Sequence, residues 1–250
     1  MRAMNIASPS SDPRVVDLVR AGRLRAALFL PQYRKDAATG ELSGVWVEVV
    51  RALGARIGVE VVIIELSTPG ELFECLATGG CDIGSLGFDP TRANQVGGFT
   101  SPFMRVDYSY LVPTHSRLHT VADADQSGLR IAAVRDHAST LALGRILKRA
   151  EAVDAETPDA AFALLQSGRV DAWASIRPTL LHYSPRLPDS RVLEGSYGAN
   201  FPALVVPKGH AARLTYIREF VEHAKASGII QRAIDRAGQP GYQVAAKEGE

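Results

Sequence analysis

Cys81-Asp82-Ile83-Gly84-Ser85-Leu86-Gly87-Phe88-Asp89-Pro90-Thr91-Arg92 is a short apolar strand that runs into small residues, a proline turn and one arginine. Small residues where a strand ends let a ligand approach the backbone, and Pro90 sets a turn that fixes where Arg92 points. A guanidinium held there forks onto a carboxylate. The bland alternative is a surface arginine after a turn, so the rest of the chain has to decide.

Working outward, residues 24–30 form a compact apolar run ended by Pro31, the first buried strand, and residues 45–58 carry apolar side chains at helical spacing. Residues 61–66 are β-branched without alternation, which suits a parallel strand covered on both faces. Ser67-Thr68-Pro69 opens a helix that stops at Gly79-Gly80, and the strand of the opening stretch follows. The order β-α-β-α-β predicts a parallel sheet with helices on both faces and a ligand at the carboxyl ends of its strands. Residues 85–92 lie at such an end.

From Gly128 the series restarts, with a strand at 129–134, an exit loop Arg135-Asp136-His137-Ala138, a helix over 139–149, a strand near 150–153, a helix over 158–166 and a strand at 170–174. Phe73, Leu76, Gly79 and Asp82 recur in type and spacing as Phe162, Leu165, Gly168 and Asp171. Each set reads as a helix, a glycine stop and a strand that begins with aspartate. Because the two sets occupy equivalent places in successive series, they predict two similar lobes. Residues 106–113 read as an extended crossing strand, and the chain closes with a strand at 203–207, helices over 211–226 and 229–237, and a polar tail.

Composition narrows the classes. The 250 residues are 46% hydrophobic, with 28 basic and 27 acidic side chains for a net charge of +1, so no polyelectrolyte partner is implied and nucleic-acid binding is not expected. No run of about 18 apolar residues is present, so the chain is not expected to be membrane-embedded. The N-terminus has no uninterrupted apolar segment and lacks a secretory signal as it stands, which leaves a cytoplasmic protein or one whose signal has been removed. Cys75 falls in a helix and Cys81 opens a strand; their side chains need not face each other, and two buried free thiols are expected over a disulfide. With no histidine near them, and His115 and His119 in an extended region, no metal site is expected, nor any other cofactor. Trp46 and Trp173 are expected to pack in the core, and no nucleophile elbow, Walker loop or zinc-protease helix is present.

At this point the chain resembles the family 3 bacterial extracellular solute-binding proteins over about residues 24–237. Gly40-Glu41-Leu42-Ser43-Gly44 looks like the family's "GELVGF" turn, residues 85–92 like its "S-x-S-I-T-x-x-R" segment, Phe99-Thr100-Ser101-Pro102-Phe103 like "F-S-x-P-Y", and Gly168-Arg169-Val170-Asp171-Ala172 like "G-R-V-D-A". The resemblance implies an α/β, two-lobed periplasmic-binding-protein-like fold, with a mostly parallel sheet in each lobe and two crossing hinge strands. It puts lobe 1 at 22–111 and 206–240, lobe 2 at 112–205, an N-terminal extension at 1–21 and a polar tail at 241–250, with the hinge near 111–113 and 203–206. It further implies a monomer, a periplasmic location, and an ABC permease as partner.

Carried across by likeness, Arg92 matches the arginine that grips a ligand's α-carboxylate, and Ser85, Gly87 and the adjoining Phe88 fall where hydroxyl and backbone contacts are supplied. Gln32 and Tyr33 lie in the first-strand loop, where these proteins stack an aromatic on the ligand. Asp136, His137, Ala138 and Ser139 occupy the place of the "G-T-T-x-E" loop, an anion site at a helix N-terminus. The family's two ammonium-binding aspartates are missing: the corresponding regions read Phe29-Leu30-Pro31-Gln32-Tyr33 and Ser175-Ile176-Arg177. An ammonium without an anionic partner in a desolvated cleft is costly, so the expected ligand is a carboxylate or another anionic or neutral small molecule, with Arg177 as an added cation. Asp136 serves an amine only by a different geometry. The rival expectation is an enzyme on the same fold, as in cyclohexadienyl dehydratases, acting on a small organic acid with Asp136, His137 and Asp89 as its acid-base candidates. A sensory module is a third, normally fused to a transmembrane output domain.

Overall fold

Both β-α-β-α-β series form. The computed structural model of the chain describes residues 8–87, 94–238 and 240–246. In chain order the first series runs from α1 (Val16–Ala21) to β1 (Arg23–Phe29), the hairpin β2 (Arg34–Lys35) and β3 (Leu42–Ser43), α2 (Val45–Ile57), β4 (Glu60–Leu66), α3 (Pro69–Ala77) and β5 (Ile83–Gly87). After β6 (Gly98–Phe99) and β7 (Met104–Pro113), the second is β8 (Arg130–Val134), α4 (Ala138–Ile146), β9 (Glu151–Ala155), α5 (Pro158–Gln166) and β10 (Ala172–Ile176). Then come α6 (Arg177–Tyr183), β11 (Ser190–Val192), β12 (Gly198–Asn200), β13 (Pro202–Val206), α7 (Ala211–Ala226) and α8 (Ile229–Ala237).

The contacts divide the chain into two units. Unit 1 holds the described residues through Met104, Phe201–Gly238 and the segment from Gln243; unit 2 holds Arg105–Asn200 with the described part of Gln239–Tyr242. In unit 1 the sheet order is β4-β1-β5-β13-β6, with β1 parallel to β4 and β5 and with β13 antiparallel to β5. In unit 2 the order is β11-β7-β10-β8-β9, with β8 parallel to β9 and β10 and with β7 antiparallel to β10. Each unit therefore has three parallel strands in the order second, first, third, with an antiparallel strand, β13 or β7, next to the third. The chain changes unit at Met104–Arg105 and Asn200–Phe201, earlier than the expected boundaries after residues 111 and 205. The reason is strand pairing. β7 bonds to β10, β11 and β12 from Val106 to Pro113, whereas β13 bonds to β5 and β6.

The predicted internal correspondence is visible atom by atom. Thr68 and Thr157 cap α3 and α5 by accepting from Glu71 N and Ala160 N, each with a proline in the first turn. Gly79 and Gly168 take φ of +70° and +69°, the left-handed geometry that ends a helix cheaply only with glycine. Asp82 N donates to Arg25 O at 2.9 Å while Asp82 Oδ2 accepts Arg25 N at 2.8 Å. Asp171 makes the same exchange with Arg130, both bonds at 2.8 Å. The aspartate thus locks the register of the third strand against the first in each unit. In unit 1 the lock is also ionic: Arg25 Nη2 lies 2.8 Å from Asp82 Oδ1, and the buried Arg213 donates to Asp82 O at 3.1 Å and bonds to Asp17. Burial would raise the Asp82 carboxyl, but the bonds and charge of Arg25, with Arg213 behind them, hold it below the usual carboxylate range.

Core packing follows the apolar pattern. Leu72, Leu76, Leu86, Phe99, Ala203 and Val205 form one cluster in unit 1, and a Cβ on Gly84 would come 2.5 Å from Leu72 Cδ1, so the glycine sets how closely α3 sits on β5. In unit 2 the fully buried Trp173 packs with Leu111, Val134, Phe162 and Leu180. Trp46 is buried edge-on against Phe103 in unit 1, so both tryptophans pack as expected. The helix expected over 139–149 ends at Ile146. Asp125 Oδ1 captures the amides of Lys148, Arg149 and Ala150 at 3.0, 2.7 and 3.0 Å, and that local anion site pulls the chain out of the helix. Residues 8–21 of the expected N-terminal extension belong to unit 1, with Ser10 N on Ile57 O and Arg14 paired to Glu219.

Candidate functional site

The parallel strands that lead to the expected site residues are β1 and β5 in unit 1 and β8 and β10 in unit 2, and the expected site residues that are described lie in these strands or in the segments that follow them. In unit 1 the chain leaves β1 through a cis Leu30–Pro31 bond and turns at once, Gln32 N donating to Phe29 O at 2.8 Å. The Gln32 carboxamide is buried and points inward: its Nε2 donates to Ser85 O at 2.9 Å, and its Oε1 accepts Phe29 N at 3.3 Å. Ser85 is fully buried; its hydroxyl accepts the Trp46 indole N–H at 3.1 Å and donates to Ala203 O at 3.1 Å. Gln32, Ser85 and Trp46 are one internal linkage tying the ends of β1, β5, α2 and β13 together. This corrects the expectation that the Gln32 and Ser85 side chains face a ligand: their polar atoms are already used. Tyr33 is 8% exposed and donates to Leu66 O at 3.3 Å, so it packs in the loop instead of offering a ring for stacking. Gly87 pairs with Pro202 at the end of β5. Phe88, Asp89 and Arg92 lie outside the described residues.

Sequence reasoning missed Leu30, which is 51% exposed at the head of the β1 loop. The signal was its place between Phe29 and Pro31: the turn that buries Gln32 leaves the residue before the proline outside.

In unit 2 the chain leaves β8 through Asp136, whose φ of +62° is the one left-handed non-glycine conformation among the described residues. That twist turns the chain into α4. His137 N donates to Val134 O at 3.3 Å, Thr140 Oγ1 closes the turn onto the same carbonyl at 2.6 Å, and the first intrahelical acceptor is His137 O. His137 occupies the N-cap position without a side-chain capping bond, and the amides of Ala138 and Ser139 precede the first intrahelical donor, Thr140. Ser139 is buried, and its carbonyl accepts the Tyr197 hydroxyl at 3.2 Å; Tyr197 in turn lies against Tyr110 and Tyr108 with centroids 4.8 and 5.5 Å away. Tyr197 is the second residue missed from sequence, and the short aromatic between Gly195 and Gly198 was the available hint.

Burial pushes the half-buried His137 below the usual imidazole range, and the neighbouring Asp136 offsets this only in part. The imidazole is therefore neutral near pH 7. Positive potential at this end comes instead from the helix dipole and the first-turn amides. Arg177 opens α6, and its Nη2 donates to Leu193 O at 2.9 Å and Gly195 O at 2.5 Å. As an added ligand cation it is partly spent: the guanidinium holds the segment that follows β11. Asp136, His137, Ala138 and Ser139 form the turn into α4, and Tyr197 bonds to it through Ser139 O. Among the described residues no group of three or more potential metal ligands occurs, and no helix is long and apolar enough to cross a membrane.

The sequence pattern of the bacterial extracellular solute-binding proteins, family 3, matches residues 29–239. Among curated proteins, Virulence sensor protein BvgS of Bordetella bronchiseptica is 29% identical over 162 residues, which is 64% of this chain and 13% of that protein. The protein of the same name from Bordetella pertussis is 27% identical over the same length. The chain therefore spans only 13% of the length of these relatives. Among solved structures, a binding component of an ABC transporter from Wolinella succinogenes complexed with lysine superposes with a TM-score of 0.77 at 21% identity, covering 86% of this chain and 95% of that one. The solute receptor for L-cysteine of Neisseria gonorrhoeae gives 0.76 at 22%, covering 89% and 92%. The ancestral amino acid-binding protein AncCDT-1, a precursor of cyclohexadienyl dehydratase, gives 0.76 at 21%, covering 89% and 97%. At these identities the structural likeness establishes the two-lobed α/β fold.

Proposed function

The chain belongs to the bacterial extracellular solute-binding proteins, family 3, and on that premise we propose that it captures a small carboxylate-bearing or otherwise anionic molecule for ABC-type uptake outside the cytoplasm. Arg92 is the proposed carboxylate grip, and Gly87 and Phe88 are proposed to supply backbone contacts to the ligand. The amides of Ala138 and Ser139 are a further anion-holding element.

One observation carries the choice of an acid. The N-terminus of α4 is left uncapped by any side chain beside a histidine that burial keeps neutral, so an anion meets free amides there with no imidazolium needed. The two regions where the family resemblance places ammonium-binding aspartates supply Leu30 and Arg177 instead, an exposed apolar side chain and a cation.

The test is a thermal-shift and calorimetric screen over matched pairs, each an amino acid and the acid of the same skeleton without its amine. The expected result is binding of acids that does not need the amine, lost in Arg92→Ala. A ligand that binds only with its amine present overturns the acid reading, and an unchanged shift in Arg92→Ala overturns the role of that residue. Recovery of the ligand unaltered by NMR after long incubation separates capture from turnover. A sensory role is the second reading, favoured by the likeness to Virulence sensor protein BvgS. A deletion strain that keeps uptake of the acid but loses an acid-dependent transcriptional response would favour it.

A further inference from the structure

Cys75 and Cys81 flank the turn that leads α3 into β5, and both are free thiols. The turn folds one residue onto the other: the Cys75 carbonyl accepts the amide of Gly80 at 2.8 Å and that of Cys81 at 3.4 Å. The Cys75 sulfur lies over this turn, where a Cβ on Gly80 would come within 3.1 Å of it. Cys81 is 1% exposed, within the cluster of Ala27, Leu72 and Leu86, whereas Cys75 is half-buried at the margin of the same cluster. On sequence grounds the two side chains need not face each other; the helix-ending turn folds the backbone of Cys81 back onto that of Cys75 and puts both side chains in one apolar cluster.

We propose that Cys75 and Cys81 are an intramolecular disulfide site, oxidised by a small-molecule disulfide of the glutathione class, and that the bond staples the end of α3 to the start of β5. Cys75, the thiol with solvent access, attacks the oxidant as thiolate, forming a mixed disulfide and releasing one small thiol. Cys81 then loses its proton, attacks the Cys75 sulfur and displaces the second small thiol. Two electrons pass from the protein to the oxidant, and the two protons end on the two released thiols. Burial first, and the neighbouring Cys75 second, push the Cys81 thiol well above its usual range, which makes the second displacement the slow one. Extracellular and periplasmic surroundings favour the oxidised pair and a glutathione-buffered cytoplasm the reduced one, so the state of this turn records where the chain has folded.

The experiment takes the reduced full chain, folded, into oxidised glutathione, and follows thiol count and mass. The expected result is loss of both thiols, a mass lower by two hydrogens, a crosslink joining Cys75 to Cys81 within one chain, and a higher melting temperature than the reduced form. Cys81→Ser is expected to stop with glutathione on Cys75, and Cys75→Ser to stay unmodified while folded. Wild-type protein that stops at the glutathione adduct, forms crosslinked dimers, or reacts only after denaturation in urea overturns the proposal. Should either variant fail to match the circular dichroism of the reduced parent, the wild-type mass and crosslink alone decide.

Discussion

Replacing Asp82 with alanine removes the acceptor of three hydrogen bonds from Arg25, through its amide at 2.8 Å, its Nε at 3.1 Å and its Nη2 at 2.8 Å. It also takes away a carboxylate 3.8 Å from Arg213, a guanidinium whose side chain is 4% exposed. Stranding a buried charge typically costs about 3–5 kcal/mol. Here Arg25 is 32% exposed and water takes up part of its loss, while Arg213 keeps Asp17, so the expected cost is about 3 kcal/mol, the lower end of that range. The internal control is Asp171→Ala, which breaks the equivalent lock in unit 2, where the bond is solvent-exposed and, among the described residues, no buried arginine pairs with the carboxylate; its expected cost is about 1 kcal/mol. Urea unfolding at pH 7, with unchanged slope, measures both. Equal losses from the two substitutions would refute the claim that Arg25 and Arg213 make one lock ionic. The pH dependence gives a second check. Because the folded Asp82 pKa is depressed, its contribution is present above the unfolded value of about 3.9 and is lost as pH falls through the folded one. The gap between wild type and Asp82→Ala therefore closes on acidification below pH 4.

Two further outcomes are expected. Ser85→Ala leaves the Trp46 indole N–H buried without its acceptor and should cost about 1–3 kcal/mol in the same assay, with a blue shift of Trp46 fluorescence; a loss below about 0.5 kcal/mol would mean that the linkage of β1, β5 and α2 does not bear on stability. His137 has a folded pKa below its unfolded value of about 6.5, so protonation favours the unfolded chain: stability falls as pH drops below about 6.5 and levels off once pH is under the folded value. His137→Gln should flatten that limb of the melting-temperature profile, and a titration followed by NMR that finds the imidazole protonated at pH 7 would contradict its neutral state.

What could be read in the sequence was the part governed by neighbours along the chain. α5, α7 and α8 begin and end where proline, glycine and apolar spacing put them, and the Phe73 to Asp82 pattern with its copy at Phe162 to Asp171 became two matching strand locks. What was not legible depended on partners remote in sequence. Whether Ser85 faces a ligand or the interior is decided by Trp46 and Ala203, and the direction of Gln32 by the Ser85 carbonyl. Strand parity alone does not reveal such pairings. The early end of α4 came from Asp125, well before the helix, and the start of α6 at Arg177 had Pro178 as its only local signal. The acid-binding expectation therefore now leans on backbone amides in unit 2 and on Arg92, and less on the side chains that sequence placed around it.

The way β13 completes the sheet of unit 1 has a consequence for how the chain is made. Ser85 meets Ala203 at a sequence separation of 118, and everything from Arg105 to Asn200 belongs to the other unit. As a free loop, that span would make closing the β5–β13 pair entropically slow. Once unit 2, continuous in sequence across those residues, has condensed, the same span is a folded body with fixed ends, and β13 follows β5 at little further entropic expense. During synthesis on the ribosome the middle of this protein would condense before its beginning, and unit 1 would wait for Phe201–Gly238 to emerge.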